Sequence, residues 1–147
     1  ELRDHYHLKG MKVLEFVLDA SGRYVQDTGS NKACQIHYTG THDNATLKEW
    51  YESLPVAHRR KLRRWLKRQG FGTGSVVERL NRCALASPAD WTILPAQDIM
   101  ELNASARMNT PGTVGSPNWE WRLADFDRVA RALRALRPAI LQRRETK

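Results

Sequence analysis

The amino-acid sequence predicts an α/β chain organised around a parallel sheet or barrel. Three observations lead there. Short β-branched or aromatic runs recur between turn residues, amphipathic stretches of helical period separate two of them, and polar pairs stand just past two run ends. The 147 residues amount to one domain's worth of chain, and 41% apolar content with five tryptophans argues for a packed core. We expect residues 1–147 to form one segment with no separate second domain.

The elements follow in order. "MKVLEFVLD", residues 11–19, reads as a first strand, bounded by Gly10 and by Ala20-Ser21-Gly22. "ACQIHYTG", residues 33–40, reads as a second, ending at a glycine. A helix follows: Thr46 with Glu49 makes a capping box, and Leu47, Trp50, Tyr51 and Leu54 then share one face. In "RRKLRRWLKR", residues 59–68, Leu62, Trp65 and Leu66 recur at helical spacing. The Gly70-Phe71-Gly72-Thr73-Gly74 turn breaks that helix, and Val76, Val77, Leu80 and Ala84 mark the next. "WTILP", residues 91–95, is a third strand stopped by Pro95. A Pro- and Gly-punctuated loop runs from about Asn103 to Arg122, before a final helix that Pro138 kinks or ends.

The formal charge of +8 raises the question of a nucleic-acid partner, and its distribution answers it. Seven of the 24 basic residues lie in residues 59–68, and another seven lie between Arg128 and Lys147. In both places they flank an apolar stripe, as on a solvated outer face, and no recognition motif accompanies them. We therefore expect no nucleic-acid partner. No apolar run approaches the roughly 20 residues that span a bilayer, so no membrane role is expected. Cys34 and Cys83 fit no metal or redox spacing and read as small hydrophobes in a reducing compartment. Without a secretory leader, the expected location is the cytoplasm.

In such architectures chemistry gathers at the carboxyl ends of the strands. His42 and Asp43 stand just past the second strand, Gln97 and Asp98 just past the third. Asp43 reads either as a helix cap or as a functional carboxylate, and Thr46 competes for the capping task. His42 reads as a packing residue or a site residue. Asp98 reads as a site residue or a cap of the short "IMEL" turn. In "SARMNTPGTVGSPNWEWRL", residues 105–123, a core role is expected for at least one of Trp119 and Trp121. The same loop combines aromatic planes with Asn, Arg and carboxylate groups, which is what a sugar site requires.

"LKGMKVLEF", "YTGTHDN", "LPAQDIMEL" and "ARMNTPGTVGSPNWEWRL" resemble, in the same order, blocks of the 4-α-glucanotransferases of glycoside hydrolase family 77, the amylomaltases and disproportionating enzymes. The resemblance covers most of residues 1–125. It implies a (β/α)8 barrel of which the three strands are the sixth, seventh and eighth, so that the chain is a C-terminal segment. It also implies transfer of α-1,4-glucan segments between maltodextrins with retention of configuration, without metal or organic cofactor. On this resemblance Asp43 is the third carboxylate of the site, the one that stabilises the transition state. His42, Asn44, Gln97, Asp98 and Asn109 are expected to bind substrate, with Tyr38, Thr39 and Asn44 positioning the His42–Asp43 pair.

The family's acid/base Glu sits in an "EDLG" block and its nucleophilic Asp further upstream, and neither block occurs here. The chain alone is therefore expected to be inactive and, as an open piece of barrel, to self-associate through strand edges. Three departures accompany the match. "HDNAT" stands where "HDNDT" is usual, "VLEF" replaces "VLQF", and residues 20–32 are shorter than the family's loop, so glucan contacts from that loop are not carried over. The alternatives from other classes are a non-catalytic carbohydrate-binding or interaction module and a basic nucleic-acid-binding helical domain.

Overall fold

The computed structural model describes residues 2–17 and 34–145. Three strands, β1 (Gly10–Val13), β2 (Gln35–Tyr38) and β3 (Trp91–Ile93), form one parallel sheet in the order β1-β2-β3. Consecutive strands in consecutive places, all parallel, require a crossover between each pair. The register aligns Met11 with Ile36 and Trp91, and Val13 with Tyr38 and Ile93. Because side chains alternate along a strand, these two rows share one face, and Lys12, His37 and Thr92 point to the other. That second face meets the helices: the Thr92 hydroxyl donates to the Ala84 carbonyl at 3.3 Å, and His37 is buried. Burial, reinforced by the charges of Lys12 and Arg143, pushes the His37 imidazole down to about 4.

The first strand is shorter than the sequence suggests. Pairing stops at Val13, and Leu14–Val17 winds into a 3-10 turn; the remainder of the expected strand lies outside the described residues. An unbroken apolar run cannot distinguish a strand from a buried turn. Here the turn wins because it drops Leu14 into the core, leaving it 2% exposed beside Leu47 and Leu66.

Six helices accompany the sheet among the described residues: α1 (Leu2–His5), α2 (Leu47–Ser53), α3 (Val56–Arg68), α4 (Val76–Leu85), α5 (Ala96–Ile99) and α6 (Phe126–Glu145). The capping box at the start of α2 is formed. The Thr46 hydroxyl accepts from the Glu49 N–H at 3.2 Å, and the Glu49 carboxylate accepts from the Thr46 N–H at 3.4 Å. The expected faces of α2, α3 and α4 converge: Leu47, Tyr51, Leu62, Leu66, Val77 and Leu80 are buried together, with Trp50, Leu54 and Trp65 packed against them. Each such side chain contributes about 1.5–3 kcal/mol by leaving water. The buried Arg79 locks the α3–α4 connection, donating to the carbonyls of Phe71 at 2.5 Å and Arg63 at 2.9 Å. Gly70 and Gly74 adopt φ of +89° and +90°, where a side chain would strain the backbone.

Pro138 does not end α6, which continues to Glu145. The segment beyond the proline is held from outside: Arg143 donates to the carbonyls of Leu85 at 2.8 Å, Ser87 at 2.5 Å and Ala89. Of the apolar stripe on α6, Leu136 is buried and Leu133 partly exposed, while the flanking Arg128, Arg131, Arg134 and Arg137 are exposed. Among the described residues no helix is long and apolar enough to cross a membrane.

Candidate active site at the carboxyl ends of the strands

A parallel sheet delivers the segments after its strands to one edge. β1 leads into Glu15, β2 into Thr39–Asn44, and β3 into Gln97 and Asp98. A cleft of about 410 Å³ opens there, with Met11, Tyr38, His42, Ile93, Gln97 and Met108 among its walls. Among the described residues no three His, Cys, Asp or Glu side chains group as a metal site would need.

The segment after β2 is a tight turn closed on itself. The Asn44 N–H donates to the Thr41 carbonyl at 3.2 Å, while the Asn44 side-chain oxygen accepts from the Thr41 N–H at 2.9 Å and its hydroxyl at 2.6 Å. This turn lifts His42 and Asp43 out toward solvent, side by side, with Nε2 and Oδ2 at 3.4 Å. Asp43 is not the cap of α2, because Thr46 fills that position. Its carboxylate instead accepts from Asn109 Nδ2 at 2.6 Å. The two sequence blocks "GTHDN" and "ARMN", far apart in the chain, thus meet at one carboxylate.

Arg107 makes that meeting rigid, and sequence reasoning did not single it out. Its guanidinium donates to the Asp43 carbonyl at 3.1 Å and the Asn109 carbonyl at 2.9 Å, and pairs with Glu49 at 3.5 Å. A planar five-donor group suits three acceptors on three segments. The only signal in the sequence is its place two residues before Asn109.

The rest of the long loop is folded on its own hydrogen bonds. The Trp119 N–H donates to the Met108 carbonyl at 2.7 Å, the Thr110 N–H to Asn118 Oδ1 at 2.9 Å, and Asn118 Nδ2 to Thr113 Oγ1 at 2.9 Å. Neither tryptophan takes the core role the sequence suggests. Trp121 is half-buried, and Trp119 is exposed with its ring 5.2 Å from the His42 ring. Trp119 also sits at φ +65°, a conformation costing a non-glycine residue about 1–3 kcal/mol. The loop's hydrogen bonds hold it there, and the result is an aromatic plane beside His42.

Asp98 stands in the wall of the same cleft. It caps no turn of its own; it is buried, and both its oxygens are taken by protein donors. One accepts from the Thr39 hydroxyl at 2.6 Å and the other from the Leu47 N–H at 2.7 Å, in the first turn of α2. Its carbonyl accepts from the buried Asn81 at 3.0 Å. Burial raises its carboxyl above the ordinary range, and the two donors oppose that shift. Asp98→Ala is expected to leave the Leu47 N–H and the Thr39 hydroxyl unpaired, a loss on the order of 3 kcal/mol. A denaturant midpoint measured on the full-length protein checks this. Reduced turnover with an unchanged midpoint would instead make Asp98 a substrate contact.

The site residues proposed from the sequence therefore divide. His42, Asn44, Gln97 and Asp98 line the cleft, and Asp43 stands in the turn between two lining residues. Asn44, Asn109 and Asp98 use polar atoms to hold that turn and its surroundings.

A family model described as 4-alpha-glucanotransferase, of glycoside hydrolase family 77, matches residues 1–128. The chain is 35% identical over 126 residues to the 4-alpha-glucanotransferase of Streptococcus pneumoniae serotype 4, covering 85% of this chain and 24% of that protein. It is 36% identical over 126 residues to the chloroplastic/amyloplastic 4-alpha-glucanotransferase of Arabidopsis thaliana, covering 84% and 21%. Among solved structures, the amylomaltase of Streptococcus agalactiae in complex with acarbose superimposes with a TM-score of 0.77 at 29% identity, over 94% of this chain and 28% of that one. The chain spans about a quarter of the length of the curated relatives it matches. The order of the motifs and the parallel sheet agree with this match: the chain belongs to the 4-alpha-glucanotransferases of glycoside hydrolase family 77.

Proposed function

We propose that this chain supplies part of the active site of a 4-alpha-glucanotransferase that moves α-1,4-glucan segments between maltodextrins with retention of configuration. The observation that carries the reading is the Asp43 carboxylate, exposed beside a cleft at a strand's carboxyl end and fixed in place by Asn109 and Arg107. In such a reaction the sugar passes through an oxocarbenium-like state, and a carboxylate beside the ring strengthens its hydrogen bonds to the hydroxyls as positive charge develops. Asp43 performs that task, His42 donates to the same sugar, and Trp119 offers an apolar plane to a ring. Gln97 contacts the glucan from the β3 side.

The three strands are the sixth to eighth of a (β/α)8 barrel, and residues 1–147 are one segment of it. The nucleophile and the acid/base lie in parts of the parent that these residues do not include. The free thiols of Cys34 and Cys83 agree with a cytoplasmic parent. Incubating the full-length protein with maltotriose tests the reading. Glucose together with longer maltodextrins is the expected product pattern. Glucan binding without any transfer would favour a non-catalytic carbohydrate-binding module.

A further inference from the structure

One half-buried acid of the site has no part in that chemistry. Glu15 follows β1 as Asp43 follows β2, but it points inward, beneath the turn that carries His42 and Asp43. Its Oε2 accepts from Asn44 Nδ2 at 3.2 Å, and its Oε1 is buried without a hydrogen-bond partner among the described residues. Asn44 has no freedom to turn away. Its oxygen already receives two donors from Thr41, so its NH2 group must face Glu15. The order of contacts is Glu15 to Asn44, Asn44 to Thr41, and from there to the two residues placed on the substrate.

The surroundings select the protonation state of Glu15. Asp98 on α5 and Glu49 on α2 face it with like charge, and Arg107 is the one opposing cation in that group. Arg107 is already shared between Glu49, Asn109 and the Asp43 carbonyl. Asp98 has two protein donors on its oxygens, whereas among the described residues Glu15 has one donor and a bare oxygen. When two neighbouring carboxyls compete in this way, the one with more donors keeps the charge and the other keeps the proton. We propose that Glu15 is a positioning residue for the Asp43 turn, acting through Asn44 in its neutral form, and that its ionisation loosens the turn. The proposal rests on the glucanotransferase reading for its consequence, but not for its geometry.

Burial first, and Asp98 second, push the Glu15 carboxyl up to about 7, outweighing the Asn44 hydrogen bond and the Arg107 charge, which favour the ionised form. The group therefore titrates near neutrality. Its pKa is raised on folding, so the native state holds the proton more tightly than the unfolded chain does. The stability linked to it is present below about 4.5 and is lost as pH rises through about 7. Above that, a second negative charge would sit beside Asp98 with its bare oxygen out of water. Relief requires the side chain to move out to water, which breaks its bond to Asn44.

The test uses the full-length protein and its Glu15→Gln variant, which keeps the acceptor for Asn44 and cannot ionise. Turnover of maltotriose by the wild type is expected to fall several-fold between pH 6 and pH 8, with an inflection that Glu15→Gln lacks. Superimposable profiles would overturn the proposal. A second readout needs neither activity nor the variant: the carboxyl carbon of Glu15 and the side-chain amide of Asn44, followed by NMR with selective labelling. Both are expected to shift together near pH 7. A Glu15 carboxyl titrating near 4.5, with the Asn44 amide unmoved, would overturn the proposal even if the variant fails to fold. Absence of transfer by the wild type would sink the functional reading instead, and the co-titration would still decide the role of Glu15.

Discussion

Asp43→Asn in the full-length protein is expected to lower turnover by several powers of ten while leaving the melting temperature close to that of the wild type. The substitution removes a charge where the reacting sugar becomes cationic, and electrostatic stabilisation of that kind commonly contributes more to catalysis than any other single effect. It leaves the fold alone for a local reason. The side chain is half exposed, and asparagine keeps a carbonyl oxygen to accept from Asn109. Asp43→Ala distinguishes this role from helix capping, which would cost about 0.5–2 kcal/mol of stability and little rate. Since Thr46 caps α2, the alanine variant too should lose rate rather than stability. Rates and melting temperatures measured on both variants decide the matter, and normal turnover would remove Asp43 from the site.

The 147-residue chain by itself is expected to show no transfer activity and to self-associate. Retaining transfer needs a nucleophile and an acid/base carboxylate about 5 Å apart. Asp43 supplies neither role. Association follows from the sheet. Among the described residues β1 and β3 have no outer partner, and an open edge of N–H and C=O groups seeks one. The face formed by Met11, Ile36 and Trp91 is also poorly covered: Met11 is 68% and Trp91 60% exposed. In a closed barrel these side chains would pack against an opposite wall. Incubation with maltotriose checks the first expectation, and sedimentation at several concentrations checks the second. Transfer products above a blank would place a complete catalytic pair inside these residues. A cooperatively melting monomer at every concentration would mean that the chain closes its own core.

Much of this arrangement is legible in the residues because it depends on local rules. The capping box at Thr46 and Glu49 and the faces of α2, α3 and α4 follow from spacing alone. The second and third strands fall where their β-branched runs lie. What escapes depends on partners distant in the chain. The run after Gly10 continues apolar through the point where pairing stops, since Leu14 is buried by helices and not by the sheet. Asp98 looks like a local cap because the N–H that it satisfies, at Leu47, is far away in sequence. Arg107 looks like one basic residue among 24, and only the fold shows three acceptors converging on it. Trp119 shows the same limit. A tryptophan in a loop suggests burial, but the strained backbone that turns it toward His42 has no signature in composition.

The two hydrogen bonds that Asp98 accepts, from Thr39 and Leu47, also fix an order of events during synthesis. Residue 98 emerges 59 residues after Thr39 and 51 after Leu47, and the chain between them must fold or wait before the link can close. Closing a loop of that length costs entropy that only the packed product repays. At an elongation rate of roughly 5–20 residues per second, the first turn of α2 and the end of β2 spend several seconds without their buried partner. The N–H at Leu47 has no buried partner until β3 and α5 have been made. The turn bearing His42 and Asp43 is anchored between those two points. The edge of this segment that carries the candidate site is consequently completed only once residue 98 has been made, after α2, α3 and α4.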